Sequence, residues 1–393
     1  MITIVFNNAT RCGGACSYCS AAQQEHYTQG FDINNIKRIS EDSAKLIQFD
    51  FEALYKAIVS NPMFKRDEPL SISLWGADPL NSFESFLEIY DFIEYLTDKE
   101  NLPGFHIHGS TNGLGFTIPE WNEFLLKHKE HNCWQLSHDG LGQWIRTRDL
   151  NPLDLPAMKE LVNSGVVNSI NCVLNNYNAS PIQNIHYFRK YDDMNFRNIR
   201  IYNIREEEYK DIKQLNTTGL LNDKHYDELK KLPFGDLTIR NDVDLAIKTG
   251  LNEFAHQADL FFDEYDYIFS HPDHFPRKFI NPLMDRITRN AQRVDDYRKL
   301  KRPACAQYHM GKLDWSPIID TLGKYCECHL YDSNMHVSNP ELKKPKWCDN
   351  CKYKNRFECN ICGAHPLPDR PCYFMYRFNQ LMEKHMGLSN RNK

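Results

Sequence analysis

Apolar residues along the chain fall into two alternating rhythms. Short apolar or alternating runs recur at Ile2–Phe6, Leu70–Trp75, Gly104–His108, Asn132–Leu136, Ser169–Leu174 and Ile199–Ile204. Each has the length of a strand, and most are closed by a cluster of Gly, Asn, Asp or Ser. Between the strands, apolar residues return at helical spacing. From Glu41 to Ser60 they fall at Ala44, Ile47, Phe51, Leu54 and Ile58. The same period runs through Phe83–Leu96, Ile118–Lys129, Asp154–Ser164 and Ile182–Tyr191. Strand alternating with helix through six strands predicts an α/β fold, a parallel sheet with helices outside it. In such folds the C-terminal strand ends form the face on which sites are built. Here those ends carry Cys, Gly, Asp, Asn and Ser, so the loops are expected to share one rim.

Beyond Ile204 the rhythm changes. Residues 205–304 are polar and less regular, with helical stretches at Leu251–Phe269 and Phe279–Leu300 and a loop or short strand near Gly235–Asp244. From Cys305 to the end the chain is cysteine-dense and turn-rich. Its apolar periodicity is too weak to build a core, so metal is expected to order it. The expected domains are therefore 1–204, a bridging region 205–304, and 305–393. No internal repeat or low-complexity tract is visible.

Composition narrows the classes of function. The 393 residues carry 47 basic and 52 acidic side chains, a net charge of −5, which argues against nucleic acid as the main partner. No stretch approaches the length of a membrane span. The N-terminus lacks a basic segment followed by an apolar core, so no secretion signal is read and a cytoplasmic location is expected. In that setting 13 cysteines favour metal binding or catalysis over disulfides. Three lie at Cys12, Cys16 and Cys19, and eight between Cys305 and Cys372; Cys133 and Cys172 stand alone in strand-like runs and read as buried small hydrophobes.

The stretch Cys12-Gly13-Gly14-Ala15-Cys16-Ser17-Tyr18-Cys19 offers three thiols in one loop after the first strand. Three thiolates are one short of the four that saturate an iron–sulfur cluster or a structural zinc, which leaves an open metal position. Zinc-binding or unrelated cysteines are the bland alternative. The CxxxCxxC spacing, with an aromatic residue before the last cysteine, resembles the signature of the radical S-adenosylmethionine (SAM) superfamily. That resemblance implies a partial (β/α)6 barrel, and a [4Fe–4S] cluster on Cys12, Cys16 and Cys19 that binds SAM at its open iron. It further implies a 5′-deoxyadenosyl radical that abstracts hydrogen from substrate, the cofactor carrying the chemistry and the protein positioning it.

Three more strand-end loops resemble the family in chain order. Gly76-Ala77-Asp78-Pro79 is similar to its Gly-Gly-Glu-Pro, whose backbone and carboxylate hold the SAM amino group. Ala77 and Asp78 depart from that motif, and a turn with Asp78 as helix cap is the competing reading. Ser110-Thr111-Asn112-Gly113 resembles Thr-Asn-Gly, and Ser137-His138-Asp139-Gly140 resembles Ser-Leu-Asp-Gly. The resemblance implies SAM contacts from Tyr18, Gly76, Ala77, Asp78, Ser110, Asn112, Ser137 and Asp139. It also implies a downstream arginine, for which Arg148 is favoured over Arg146.

The C-terminal cysteines resemble the SPASM domain, a small cysteine-rich domain with two auxiliary [4Fe–4S] clusters. By that resemblance Cys348, Cys351, Cys359 and Cys372 hold the outer cluster, and Cys305, Cys326, Cys328 and Cys362 the inner one. Two structural zincs are the alternative. His329, with Asp332 beyond it, occupies the place of a substrate-facing base, and a histidine hydrogen-bonded into structure is the competing reading. SPASM enzymes mostly crosslink or oxidise peptide side chains. The expected activity is thus a radical SAM peptide or protein maturase, with flavodoxin or ferredoxin as electron donor. The first strand begins at Ile2, so leader recognition is expected from a separate protein or from the 205–302 region. A dehydrogenase, epimerase or mutase acting on a small molecule such as an amino sugar or amino acid is the alternative.

Overall fold

The six expected strands form one sheet in a computed structural model of the chain. The structure describes residues 2–14, 16, 28–29, 35–174, 178, 180–204, 258–282, 284–285, 318–319, 325–326, 350–351 and 369–386. The strands are β1 (Thr3–Ala9), β2 (Leu70–Gly76), β3 (Phe105–Thr111), β4 (Asn132–Ser137), β5 (Val167–Leu174) and β6 (Asn198–Ile204). They lie in the order in which they occur in the chain, and the pairs from β1 through β5 are all parallel. Two short strands, β7 (Ile318–Ile319) and β8 (Tyr325–Cys326), extend the β1 edge; β7 runs parallel to β1 and β8 antiparallel to β7.

The helices are α1 (Ile36–Ala44), α2 (Phe51–Val59), α3 (Phe83–Glu100), α4 (Pro119–Lys127), α5 (Gln143–Thr147), α6 (Met158–Asn163) and α7 (Pro181–Phe188). Residues 258–270 form α8, and Asp369–Met386 form α9. The single helix expected over 41–60 is two. Asp50 interrupts it, its carboxylate accepting from the Ala53 N–H at 2.9 Å to cap α2. A cap inside an apolar period is invisible to periodicity alone. The helices α5 and α9 were not expected. The first has five residues, too few to show a period, and the start of the second is masked by Pro371 and Cys372.

The chain divides into two compact units, one of residues 1–172, 190–199 and 312–337, the other of 173–189, 200–311 and 338–393. In the first, one sheet face carries Phe6, Ile72, Leu74, Ile107, Trp134 and Leu136, all buried. It packs on an aromatic layer from α3 and α4: Phe83 stacks on Trp121 at 4.5 Å, and Phe86 meets the Trp134 edge at 5.8 Å. Successive strand residues point to opposite faces, so the other face carries Ser71, Ser73, His108, Ser110, Cys133, Gln135 and Ser137. Cys172 is the buried small hydrophobe expected, whereas Cys133 is only half-buried and accepts from the Asn168 amide at 2.8 Å.

In the second unit, α8 and α9 are joined by charge. Asp259 accepts from the Tyr373 hydroxyl and from Arg377, whose other nitrogen reaches Asp263 at 2.8 Å. Glu264 caps α7, accepting from the Ser180 hydroxyl and from the Ile182 N–H at 2.7 Å, and burial pushes its carboxyl up to about 8. Among the described residues no helix is long and apolar enough to cross a membrane.

The aromatic layer holds the first unit's helices to its sheet. Phe86→Ala is expected to cost about 3–5 kcal/mol, whereas Glu88→Ala on the exposed side of α3 should stay within about 0.5 kcal/mol. Urea unfolding followed by tryptophan fluorescence, with Trp134 beside the deleted ring, measures both.

Candidate functional site

Parallel register brings the strand ends together. Ala9 pairs with Gly76, Leu74 with Gly109, and Thr111 with Leu136. A register shift between Asn7 and Ala9 pushes the end of β1 against the turn after β2. Gly76 sits there at φ +119°, and a Cβ on it would lie 2.3 Å from the Ala9 carbonyl oxygen. The next residue, Ala77, donates its N–H to that same oxygen at 2.9 Å. Glycine is therefore required at 76 by the protein's own β1, while Ala77 meets no such constraint. The cysteine loop leaves β1 directly beyond this contact.

Cys12 is half-buried, and its sulfur is surrounded by N–H donors. The Gly14 backbone donates at 3.2 Å, the Asn112 side-chain amide at 3.2 Å, and the Asn81 side-chain amide at 3.9 Å. Hydrogen bonds to sulfur favour its thiolate, the form that ligates metal. Cys16 is buried at 5 % exposure. The donor set thus fits a thiolate-held metal group at this loop. Tyr18 and Cys19 lie outside the described residues. Among the described residues alone, no three His, Cys, Asp or Glu side chains gather as metal ligands.

Asp78 is buried at 3 % exposure. Its Oδ1 accepts from the Leu80 N–H at 3.2 Å, the Asn81 N–H at 3.3 Å and the Thr111 hydroxyl at 3.0 Å; its Oδ2 accepts from the Asn112 N–H at 2.6 Å. This carboxylate caps the turn after β2, the competing reading from the sequence, and binds that turn to the end of β3. Aspartate is one methylene shorter than glutamate, and this keeps its oxygens on the adjacent backbone. Burial pushes the carboxyl up and the four donors pull it down; burial prevails and leaves it at about 6.

Asn112 is oriented as firmly as it is placed. Its Oδ1 accepts from the Leu114 N–H at 2.9 Å, which leaves its NH2 for Cys12. Ser110 points along the sheet, its hydroxyl donating to Gln135 Oε1 at 3.1 Å. Trp75, just before Gly76, is 41 % exposed at the mouth of the same face, its indole N–H donating to Ser73.

In the loop after β4, Ser137 is half-buried at the strand end. Asp139 is fully buried and pairs with Arg146 at 2.9 Å. Of the two arginines, Arg146 on α5 points inward. Arg148, the one favoured from the sequence, stands exposed at φ +53°, an uncommon backbone for a residue with a side chain. Sequence reasoning gave no role to His138, which latches this loop. Its Nε2 meets Asn151 Oδ1 at 2.8 Å, and its Nδ1 accepts from the Gly140 N–H at 3.0 Å. Because the Asn151 amide nitrogen donates to the Asp154 carboxylate, Oδ1 must accept, and His138 is the neutral Nε2–H tautomer. Burial holds its pKa down at about 4.

Of the C-terminal cysteines, Cys326 lies in β8, Cys351 is half-buried, and Cys372 falls in α9. Cys305, Cys328, Cys348, Cys359 and Cys362, together with His329 and Asp332, lie outside the described residues. Asn81 was not singled out from the sequence; its position in the turn capped by Asp78 was the available signal.

No family model and no curated protein sequence matches the chain. Solved structures do resemble it. Native anSMEcpe with bound AdoMet is similar in fold, with a TM-score of 0.52 at 13% identity over 99% of this chain and 100% of that one. The same protein with bound AdoMet and Cp18Cys peptide aligns with a TM-score of 0.47 at 14% identity, covering 99% of each chain. The likeness is one of fold: an α/β sheet of six parallel strands with helices.

The buried neutral His138 generates a pH dependence. Its folded pKa of about 4 lies below the ordinary histidine value of 6.5, so the unfolded chain binds the proton more readily in that window. Its contribution is therefore full above about pH 6.5 and is lost as pH falls through 4, a change of about 3 kcal/mol. His138→Gln, which can keep a donor to Asn151 and an acceptor for Gly140, is expected to flatten that segment of the stability profile in urea titrations between pH 7 and 4. An unchanged slope would contradict the assignment.

Proposed function

We propose that the chain is a radical SAM enzyme that abstracts hydrogen from a peptide or protein side chain, leaving a crosslink or an oxidised residue. The observation that carries this reading is the setting of Cys12. It opens a CxxxCxxC loop at the end of β1, and its sulfur receives N–H donors from the loops after β2 and β3. The fold likeness to a protein solved with AdoMet supports the same reading.

Cys12, Cys16 and Cys19 would hold a [4Fe–4S] cluster, which supplies an open iron for the SAM amino and carboxylate groups and the electron that cleaves SAM to methionine and a 5′-deoxyadenosyl radical. The chain's own residues fix and shield that site. Gly76 and Ala77 hold the turn after β2 against Ala9, and Asp78 ties it to Thr111 and Asn112. Tyr18, Ser110, Ser137, Asp139 and an arginine, Arg146 or Arg148, are the remaining SAM-side groups in this reading. Asp139 works through Arg146, holding a buried guanidinium beside the loop after β4. Cys305, Cys326, Cys328 and Cys362, and Cys348, Cys351, Cys359 and Cys372, would hold two auxiliary [4Fe–4S] clusters, which would supply an acceptor for the electron left on the substrate. His329, with Asp332, takes its proton. A flavodoxin or ferredoxin in a reducing cytoplasm is the proposed donor, and a separate protein the proposed reader of a peptide leader.

Replacing Cys12, Cys16 and Cys19 together by alanine is expected to abolish 5′-deoxyadenosine formation while leaving about eight irons, four per auxiliary cluster. Iron analysis and chromatography of the anaerobically reconstituted protein check both; loss of all iron would contradict the three-cluster arrangement. Co-expression with peptides encoded beside the gene should yield a product lighter by two hydrogens, dependent on the three cysteines. Unchanged peptides with SAM still cleaved would move the substrate to a small molecule.

A further inference from the structure

Two asparagines face one sulfur, and one carboxylate sets both of them. Asp78 accepts from the backbone N–H of Asn81 at 3.3 Å and of Asn112 at 2.6 Å. The side-chain amides of the same two residues donate to Cys12 Sγ, at 3.9 Å and 3.2 Å. Both asparagines are buried, Asn81 at 0% and Asn112 at 3% exposure. The Asn112 amide direction is fixed, because its oxygen is committed to the Leu114 N–H; the Asn81 oxygen is buried with no such partner among the described residues. Gly14 keeps the gap open, since a Cβ there would stand 3.2 Å from the Asn112 amide nitrogen and 3.3 Å from the Cys12 sulfur.

We propose that Asp78, Asn81 and Asn112 form a relay that raises the reduction potential of the iron–sulfur cluster held at Cys12, with Asn112 as the principal donor. The inference rests on the proposed function and adds to it the residues that tune that cluster. One-electron reduction places additional negative charge on the cluster and its thiolates. N–H dipoles aimed at a ligand sulfur stabilise that charge, and they do so most where water is excluded. Asn112 outweighs Asn81 because its approach is shorter. Asp78 is a positioning residue. Its carboxylate is bonded to protein donors, and its effect passes chiefly through the Asn112 N–H at 2.6 Å, since the Asn81 N–H also donates to the Asp78 carbonyl at 3.0 Å.

The test uses the full chain, reconstituted anaerobically with iron and sulfide and reduced stepwise with dithionite under electron paramagnetic resonance. The signal that changes on adding SAM belongs to the cluster at Cys12. Asn112→Asp keeps the acceptor for the Leu114 N–H, so the turn survives, while the donor to sulfur becomes an anionic acceptor. It is expected to lower the midpoint of that signal by a tenfold or larger change in the reduced-to-oxidised ratio, about 59 mV for a one-electron couple. Asn112→Ala removes the donor without adding charge and should lower the midpoint by less. Both variants titrating at the wild-type midpoint, with the SAM-responsive signal present, would overturn the relay. A wild-type protein with no SAM-responsive signal is a different result, and it would overturn the proposed function itself.

Discussion

Asp78 is the point through which the loops after the second and third strands hold one another. Its side chain is buried, and four donors converge on it from both loops: two backbone groups of its own turn, the Thr111 hydroxyl and the Asn112 N–H. A buried carboxylate persists only when it is bonded on this scale, because an isolated buried charge is far costlier. The dependence runs the other way as well. Leu80 and Asn112 would lose the acceptor for a buried N–H if the carboxylate were removed, at about 1–3 kcal/mol for each group left unsatisfied, whereas the Asn81 N–H keeps the Asp78 carbonyl oxygen at 3.0 Å. The loops are therefore fixed in common, and the side chains they carry towards Cys12 are fixed with them.

The sheet supplies the frame for this. Because the strands are parallel and in chain order, the ends of β1 to β4 arrive at one edge. The contact of Gly76 with Ala9 then sets how close the first two loops come. Behind the edge, Phe86, Trp121 and Trp134 form a close aromatic layer that leaves little room for the strands to shift. The site thus stands on rigid elements, and its geometry depends on backbone contacts more than on long flexible side chains.

The fold was legible because its signals are periodic. Six strand runs and the longer helices such as α3 and α4 appear where apolar spacing places them, and the cysteine loop follows the strand expected before it. What the spacing did not show has local causes. Asp50 splits an apolar period with a cap, α5 is shorter than two turns, and α9 begins at Asp369-Arg370-Pro371-Cys372, among residues that read as turn and ligand. Within the site, residue type located the loops, and geometry decided their roles. An aspartate after a strand serves equally as a cap or as a partner for a cation, and no pattern separates the two. Here four protein donors show the cap directly. An asparagine likewise gives no sign of whether its oxygen or its nitrogen faces a ligand until the partner of the other atom is known, and for Asn112 that partner is the Leu114 N–H.

The same logic extends to the loop after β4, where charge is again neutralised inside the protein. Asp139 is paired with Arg146, and His138 is held neutral between Asn151 and the Gly140 N–H. Together with Asp78, this leaves the described rim with no buried carboxylate lacking a protein partner. What the loops after β2 and β3 direct at Cys12 is a set of N–H donors. Such a surrounding suits a sulfur that must remain anionic, since a nearby unpaired carboxylate would repel negative charge where donors hold it. The relay around Cys12 and the Asp139–Arg146 pair are thus two forms of one constraint: negative charge on the described rim is matched within the protein, and the sulfur of the cysteine loop is matched by donors from the loops beside it.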